Sequence, residues 1–567
     1  MQSIDWCCIL KLVITFLLFF YLSDLSQPFF FLFFLFKMST KPNRPRGSSI
    51  VYPALGITEM MPESSENGDR QQPSAETPLL GNRASSPNGN YDSTGGVGGA
   101  ISQEHDPELR PVAFVHKFGT KEAFAIIVSI VVGSGIFTSP GAIDANVPSP
   151  GVALSVWLVG GLLAWTGAST LAELGTAIPG EGGVQAYLSY IFGDLFGHLA
   201  AWTWIFGVMP VTLAILCIVF ISNILAAFNL TETHNSDITK IFAFLLATVT
   251  CASTLLGSAR INKLNSFFVA VKLLTVTFVV TAAATVVLLV LIEPSKNETV
   301  GGQDWSKRNW FATRNSPSTE WDQLGTWEVF GRFSAALYAA LWGYCGWDKA
   351  VYVSSDLKNP SKQLPRAINT ALPTIILCFV AANAAYYVLL PWVVVPTSDT
   401  VAVDAFSRLL GPWAGFASTI LVCTIILGSL VGNTFITIKM TLAAANRGYL
   451  PQACGAVEGE DPVVATVMAL VLSAVYIAGG SFRFLVLFNG LAEYSFFFLA
   501  AVGALVLRKR EPDLERPYKT WIAGPVVFAV VSGFVVVRGA IFAPVQAVCL
   551  VVLWGISTVV RLYWTHQ

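Results

Sequence analysis

The chain has 567 residues, 54% of them hydrophobic and only 12% charged, with a formal net charge of -1. Mean hydropathy is +0.61, which a soluble domain could not sustain without aggregating and which suits a polytopic membrane protein in a lipid bilayer. The near-zero charge implies no nucleic-acid partner.

Residues 1–37 carry two apolar runs, Leu10–Phe20 and Phe29–Phe36, divided by Ser23, Asp24 and Pro28. Neither reaches the roughly 20 residues of a spanning helix, and no small-residue cleavage site follows the first. At Met38 the text changes to Ser39-Thr40-Lys41-Pro42-Asn43-Arg44, which reads as a cytosolic N-terminus. Translation is expected to start at Met38, with 1–37 a gene-model extension; the alternative is a genuine extra hairpin or anchor. Residues 38–118 are rich in Ser, Pro, Gly and Asn and read as a disordered cytosolic tail. That tail is either a plain solvated segment or a regulatory handle, with Lys41, Lys117 and Lys121 open to phosphorylation-linked control and ubiquitin-ligase adaptors.

Twelve spans then follow, at about 121–147, 151–177, 194–228, 237–257, 261–292, 329–357, 365–391, 413–445, 462–479, 483–507, 521–540 and 542–563. The predicted class is an all-α polytopic membrane protein occupying 119–567. The third, fifth and eighth spans are long enough that they must tilt or protrude. Between the second and third, Gly180-Glu181-Gly182-Gly183 precedes a short apolar piece suited to the interface.

With both termini inside, the inner connections carry Arg260 and Lys263, then Lys358, Lys362 and Arg366, then Arg447, then Arg508, Lys509, Arg510, Arg516 and Lys519. That is the positive-inside pattern, although the outer connection 293–328 also holds Lys296, Lys307, Arg308 and Arg314. The sequons Asn229-Leu230-Thr231 and Asn297-Glu298-Thr299 both fall in loops placed outside.

Two spans are interrupted: the first at Gly133-Ser134-Gly135-Ile136-Phe137, the sixth at Gly343-Tyr344-Cys345-Gly346-Trp347. In a bilayer every N–H and C=O must be paired, so a broken helix implies a use for the freed groups. Paired glycines also serve close helix packing, but matched breaks in two halves of a chain point to the site of a secondary transporter. A half-helix N-terminus is positive and suits a carboxylate, and the carbonyls ending the preceding half suit an ammonium. One broken helix can thus grip both ends of a zwitterion.

The stretch Val132-Gly133-Ser134-Gly135-Ile136-Phe137 resembles the first-helix motif of the amino acid–polyamine–organocation transporters. Four further stretches resemble the L-type amino acid transporter branch, in order across about 120–520: Ala172-Glu173-Leu174-Gly175; Trp342–Trp347 with Asn359-Pro360; Asn446-Arg447-Gly448-Tyr449-Leu450-Pro451; and Leu507–Tyr518. The long polar tail is similar to that of fungal members, which include methionine permeases. The resemblance implies a LeuT-type fold: inverted five-helix repeats at about 121–292 and 329–507, plus two helices at about 521–563, with helices 1 and 6 unwound at mid-membrane.

It also implies a substrate carboxylate on N–H groups around Ser134, Gly135 and Ile136, and an ammonium at carbonyls near Val131 and Trp342, with Gly133, Gly343, Tyr344 and Gly346 completing the site. Trp342 stands where the family usually has an aromatic gate; the alternative is a packed or lipid-facing ring. Lys272, deep in span 5, is costly there and a functional candidate by default, unless it snorkels to the interface. In sodium-independent relatives a lysine at this position replaces a sodium ion and bridges spans 1 and 8, which is the coupling role implied for Lys272.

Glu173 in span 2 reads as a structural or gating contact rather than a substrate ligand. Asp348 and Glu493 stand where animal relatives often carry Asn; buried carboxyls can carry a proton or simply hydrogen-bond within the bundle. Animal relatives tether a heavy chain through a cysteine between spans 3 and 4, and Phe228–Asp237 contains none, so no disulfide-linked heavy chain is expected.

The nine cysteines show no CxxC pair or zinc spacing and read as apolar fillers or free thiols. Histidines 105, 116, 198, 234 and 566 fall in tails, loops or helix ends, so no metal site, cofactor or catalytic function is expected. The expectation is a sodium-independent plasma-membrane permease of L-amino acids, neutral and with methionine the leading guess, working by alternating access with a possible proton coupling. An amino acid sensor on the same scaffold and an obligate exchanger are the competing readings.

Overall fold

The computed structural model describes residues 119–565 apart from 179, 229–235, 256–257, 294–300, 315–319, 399 and 456–461. The expectations for 1–37, for the 38–118 tail and for both sequons lie outside the described residues.

The first span is a bent pair, α1 (Thr120–Val131) and α2 (Gly135–Asp144), inclined by 46° to each other. Helices α3 (Pro150–Ala177) and α4 (Val184–Phe192) follow. Ser149 caps α3 by accepting the Val152 N–H at 3.4 Å, and Pro150 at the first position has no N–H to lose. The short apolar piece after the glycine turn is α4.

Helix α5 (Asp194–Ala227) is the long third span and contains a π-helical turn at Thr203–Val208. Pro210, just beyond it, cannot donate to the Phe206 carbonyl one turn back. Tyr476 Oη donates to that carbonyl instead, at 2.8 Å, so a neighbouring helix restores the pairing that a bilayer demands.

Helices α6 (Ser236–Thr254) and α7 (Ser258–Ile292) complete the first half. The second half is α8 (Thr326–Gly343), a 3-10 segment Trp347–Asp356, α9 (Pro360–Leu389), α10 (Val401–Leu410), α11 (Pro412–Asn446), α12 (Val463–Gly479) and α13 (Phe482–Arg510). Helix α13 ends on Arg508, Lys509 and Arg510, cations that suit the negative end of its dipole. Helices α14 (Ala523–Phe542) and α15 (Pro544–Thr565) close the chain.

Nine described helices are long and apolar enough to cross a membrane, and the bent pair α1–α2 makes ten. The predicted sixth and ninth spans are α8, whose Glu328 and Arg332 dilute its apolar character, and α12, which at 17 residues is short for the purpose. Leu274 and Leu288 of α7 and Val530 and Val537 of α14 are exposed, as a lipid-facing surface would be. The centre is different: α1 is enclosed by α7, α9 and α11, and Ile126, Ile127 and Val128 are buried. This buried, broken helix is what positions the candidate site.

Candidate functional site

Val132 ends α1, and the Gly133 N–H turns back to the Val131 carbonyl at 2.8 Å. Helix α2 restarts at Gly135, so the N–H groups of Gly135 and Ile136 open a helix with no intrahelical acceptor. Helix α8 stops at Gly343. Cys345 N–H donates to the Trp342 carbonyl at 3.0 Å, and Gly346 takes a left-handed φ of 105° before the 3-10 segment begins. The carbonyls of Val131 and Trp342 thus each accept one turn bond and keep a second lone pair.

The two breaks touch. A Cβ on Gly135 would lie 2.7 Å from Gly343 Cα and 2.8 Å from its oxygen; a Cβ on Gly346 would lie 2.6 Å from Ile130 Cγ2. Only glycine permits the first contact, because the obstacle is backbone.

A cavity of about 60 Å³ opens at this junction. Val131, Gly133, Ser134, Gly135, Trp342, Gly343 and Gly346 line it, joined by Thr212, Cys345, Lys349, Ser429, Asn433, Asn489 and Glu493. A larger hollow of about 260 Å³ lies between α3 and the 520–527 stretch, but no charged side chain lines it; the chemistry is concentrated at the smaller one.

Of the sequence-derived candidates, Tyr344 does not line the cavity. Its ring stacks on Phe379 at 4.7 Å and meets Trp157 edge-on at 5.8 Å. Ile136 is fully buried among apolar neighbours, leaving only its N–H near the break. Trp342 is partly buried and lines the cavity.

Lys272 of α7 is fully buried. Its Nζ donates to the Ser129 carbonyl on α1 and, at 3.3 Å, to Ser429 Oγ on α11. Ser429 Oγ itself lies 2.9 Å from the carbonyls of both Ser129 and Ile130. The carbonyls at the end of α1 are therefore held by side chains from two other helices.

Asp348 and Glu493 are both buried, and both are paired with Lys349, a residue the sequence reading passed over. Lys349 Nζ donates to Asp348 Oδ2 at 2.8 Å and to Glu493 Oε1 at 3.0 Å, while Cys345 Sγ donates to Glu493 Oε2 at 2.7 Å. Lys349 could have been found by the argument applied to Lys272, a costly lysine inside an apolar span. Asn489 stands one helical turn before Glu493 and accepts from Thr212 Oγ1 at 3.3 Å; Thr212, Asn433 and Ser429 carried no sequence signal beyond being polar within a span.

Glu173 lies away from the cavity, at the end of the bundle where α3 and α13 finish. Its carboxylate accepts Arg508 Nε at 2.8 Å, Arg508 Nη2, and the Thr520 N–H at 3.0 Å. At the opposite end Asp144, finishing α2, accepts Arg314 Nη2 at 2.6 Å and Tyr387 Oη at 2.5 Å. A buried ion pair thus stands beyond each end of the cavity.

The sequence profile of the family described as "Amino acid permease" matches residues 118–559. The chain belongs to the amino acid permease family. The permease is similar to b(0,+)-type amino acid transporter 1 of Rattus norvegicus, 28% identical over 459 residues that cover 80% of this chain and 88% of the relative. It is also similar to large neutral amino acids transporter small subunit 2 of Homo sapiens, 28% identical over 468 residues, covering 80% and 82% respectively. These relatives are transporters, and this permease is a transporter rather than an enzyme. Among its described cysteines, 217, 251, 345, 378, 423, 454 and 549 are free. The histidine reading is refined at one point: His198, near the start of α5, is fully buried with Nε2 3.1 Å from the Ser557 carbonyl.

Proposed function

We propose that this permease is a sodium-independent, proton-coupled carrier of neutral L-amino acids that works by alternating access across the plasma membrane, with both termini cytosolic. The observation that carries the reading is the direct contact of the two broken helices over one small polar cavity. The N–H groups of Gly135 and Ile136 meet the substrate carboxylate, with Gly133 and Ser134 shaping the turn. The spare lone pairs on Val131 and Trp342 meet its ammonium. Two spent helix ends, one positive and one negative, face each other where a zwitterion would lie.

The two breaks are in backbone contact at Gly135 and Gly343, so admission of an amino acid between them requires α1–α2 or α8 to move. The flanking ion pairs suit that role: Arg314–Asp144 closes the outer end and Arg508–Glu173 the inner one. Lys272 supplies the fixed positive charge at the end of α1 that a sodium ion would otherwise provide. Spans α1–α7 and α8–α13, with α14 and α15 added, correspond to two five-helix repeats of a LeuT-type fold with twelve spans in all. The cysteine-free Phe228–Asp237 loop offers no disulfide to a heavy chain.

The test is uptake of radiolabelled L-methionine and other neutral amino acids into proteoliposomes holding the purified full chain, with sodium replaced by choline. Saturable, sodium-insensitive uptake is expected. Saturable binding without uptake would favour the sensor reading, and uptake only against internal amino acid would favour obligate exchange.

A further inference from the structure

Asp348, Lys349 and Glu493 make a cluster of two acids and one base beside the cavity. Their side chains are 0%, 2% and 1% exposed. With all three ionised the cluster carries one excess negative charge. Removing such a charge from water costs several kcal/mol unless something compensates it. Cys345 donates a hydrogen bond but brings no charge.

The neighbouring phenols of Tyr338 on α8, Tyr352 on the 3-10 segment and Tyr494 on α13 are uncharged at neutral pH. None of the other described cations is bonded to the cluster: Lys439 pairs with Asp356 at 2.9 Å, while Arg538 and Lys272 direct their N–H groups to neutral partners, Ser334 Oγ at 2.9 Å and the Ser129 carbonyl. Asp348 Oδ1 is buried and accepts no hydrogen bond from another residue. A cluster with an unfilled acceptor and an unbalanced charge, open to the substrate cavity through Lys349 and Glu493, is built to receive a positive charge.

We propose that Asp348, Lys349 and Glu493 form a site for a single positive charge, filled by a proton when the permease carries a neutral amino acid and by the substrate's own side-chain cation when it carries a basic one. The inference rests on the carrier reading above and adds a rule of charge to it. Lys349 stays an ammonium throughout. The proton enters with the neutral substrate from the outer solution, belongs to the cluster rather than to either acid, and leaves on the inner side with the cargo. The rule depends on the charge sum, so neutralising either acid has the same consequence, although Asp348 does not line the cavity.

Purified permease in proteoliposomes with a trapped pH dye tests it, with radiolabelled L-methionine and L-lysine as probes. In the native protein L-methionine uptake acidifies the lumen, and a ten-fold proton gradient supports about ten-fold accumulation. Glu493→Gln and, independently, Asp348→Asn lose the acidification and equilibrate L-methionine without concentrating it. Lys349→Met combined with Glu493→Gln restores the charge sum of minus one and regains acidification. L-lysine enters the native protein without acidifying the lumen; its exclusion would overturn the exchange of proton for side-chain cation.

L-methionine uptake by the native protein with no proton movement overturns the proposal and the proton coupling with it, and leaves sodium-independent carriage standing. Proton-coupled uptake that survives both single substitutions, or L-lysine uptake that acidifies the lumen as L-methionine does, also overturns the proposal and leaves the carrier reading standing. Absence of any uptake removes the carrier reading and this inference with it.

Discussion

Gly135→Ala places a methyl group against the backbone of the other broken helix. The added Cβ would sit 2.7 Å from Gly343 Cα, 2.8 Å from its oxygen and 3.1 Å from its carbonyl carbon. No rotamer can relieve that overlap, so α2 and α8 must separate. Overpacking of this kind costs about 1–3 kcal/mol. If the contact exists in the closed state through which transport passes, the rate falls by about 5- to 150-fold at 1.4 kcal/mol per decade. Two neighbours on α8 calibrate the result. A Cβ on Gly343 would lie 3.0 Å from the Trp157 ring, a side chain able to shift, and one on Gly331 would meet nothing within 4 Å. Gly331→Ala should be neutral or stabilising by about 0.5–1 kcal/mol through helix propensity, and Gly343→Ala should fall between. The assay is initial-rate uptake normalised to surface-biotinylated protein, with thermal unfolding in detergent run alongside. Native uptake by Gly135→Ala, or equal losses at all three positions, would refute the idea that the two breaks close on each other.

Lys272→Met keeps the volume of the side chain and removes two charge-assisted hydrogen bonds, each worth about 1.5–3 kcal/mol; uptake should drop at least about ten-fold with surface level unchanged. Glu173→Gln unpairs Arg508 in a setting 3% and 11% exposed, where breaking one partner costs about 3–5 kcal/mol, so Tm should fall by several degrees. Arg308→Ala breaks a pair whose arginine is 61% exposed and should change stability by less than about 1 kcal/mol, leaving Tm nearly unmoved. Burial pushes the Glu181 carboxyl, in the loop after α3, above its usual value. A carboxyl raised in the folded state adds stability below its unfolded value and loses it as pH rises through the folded one. Glu181→Gln should therefore raise Tm at neutral pH and make no difference in acid, as a pH series of melting curves would show.

The breaks were legible because glycine is conspicuous inside an apolar span, and so was the depth of Lys272. What pairs with what was not. Arg314 looked like noise in the positive-inside count, a cation on the wrong side of the membrane. It is in fact used up: 13% exposed, it reaches back 170 residues to a fully buried Asp144. Arg508 counted as a clean inside charge, yet its guanidinium is spent on Glu173, 335 residues away, and on the Thr520 carbonyl. A topology count treats each cation as a free charge in the interfacial field, whereas these two are bonded across the bundle and feel that field only weakly.

The same blindness hid Lys349. Read along the chain it neutralises its neighbour Asp348, which makes the span look tolerable. In three dimensions a second acid, Glu493, arrives from α13, and the sum falls from zero to minus one. Sequence separation of 144 residues is what no local rule spans. Local chemistry announces where a helix must break, while the charge that surrounds the break is set by helices that only the fold brings together.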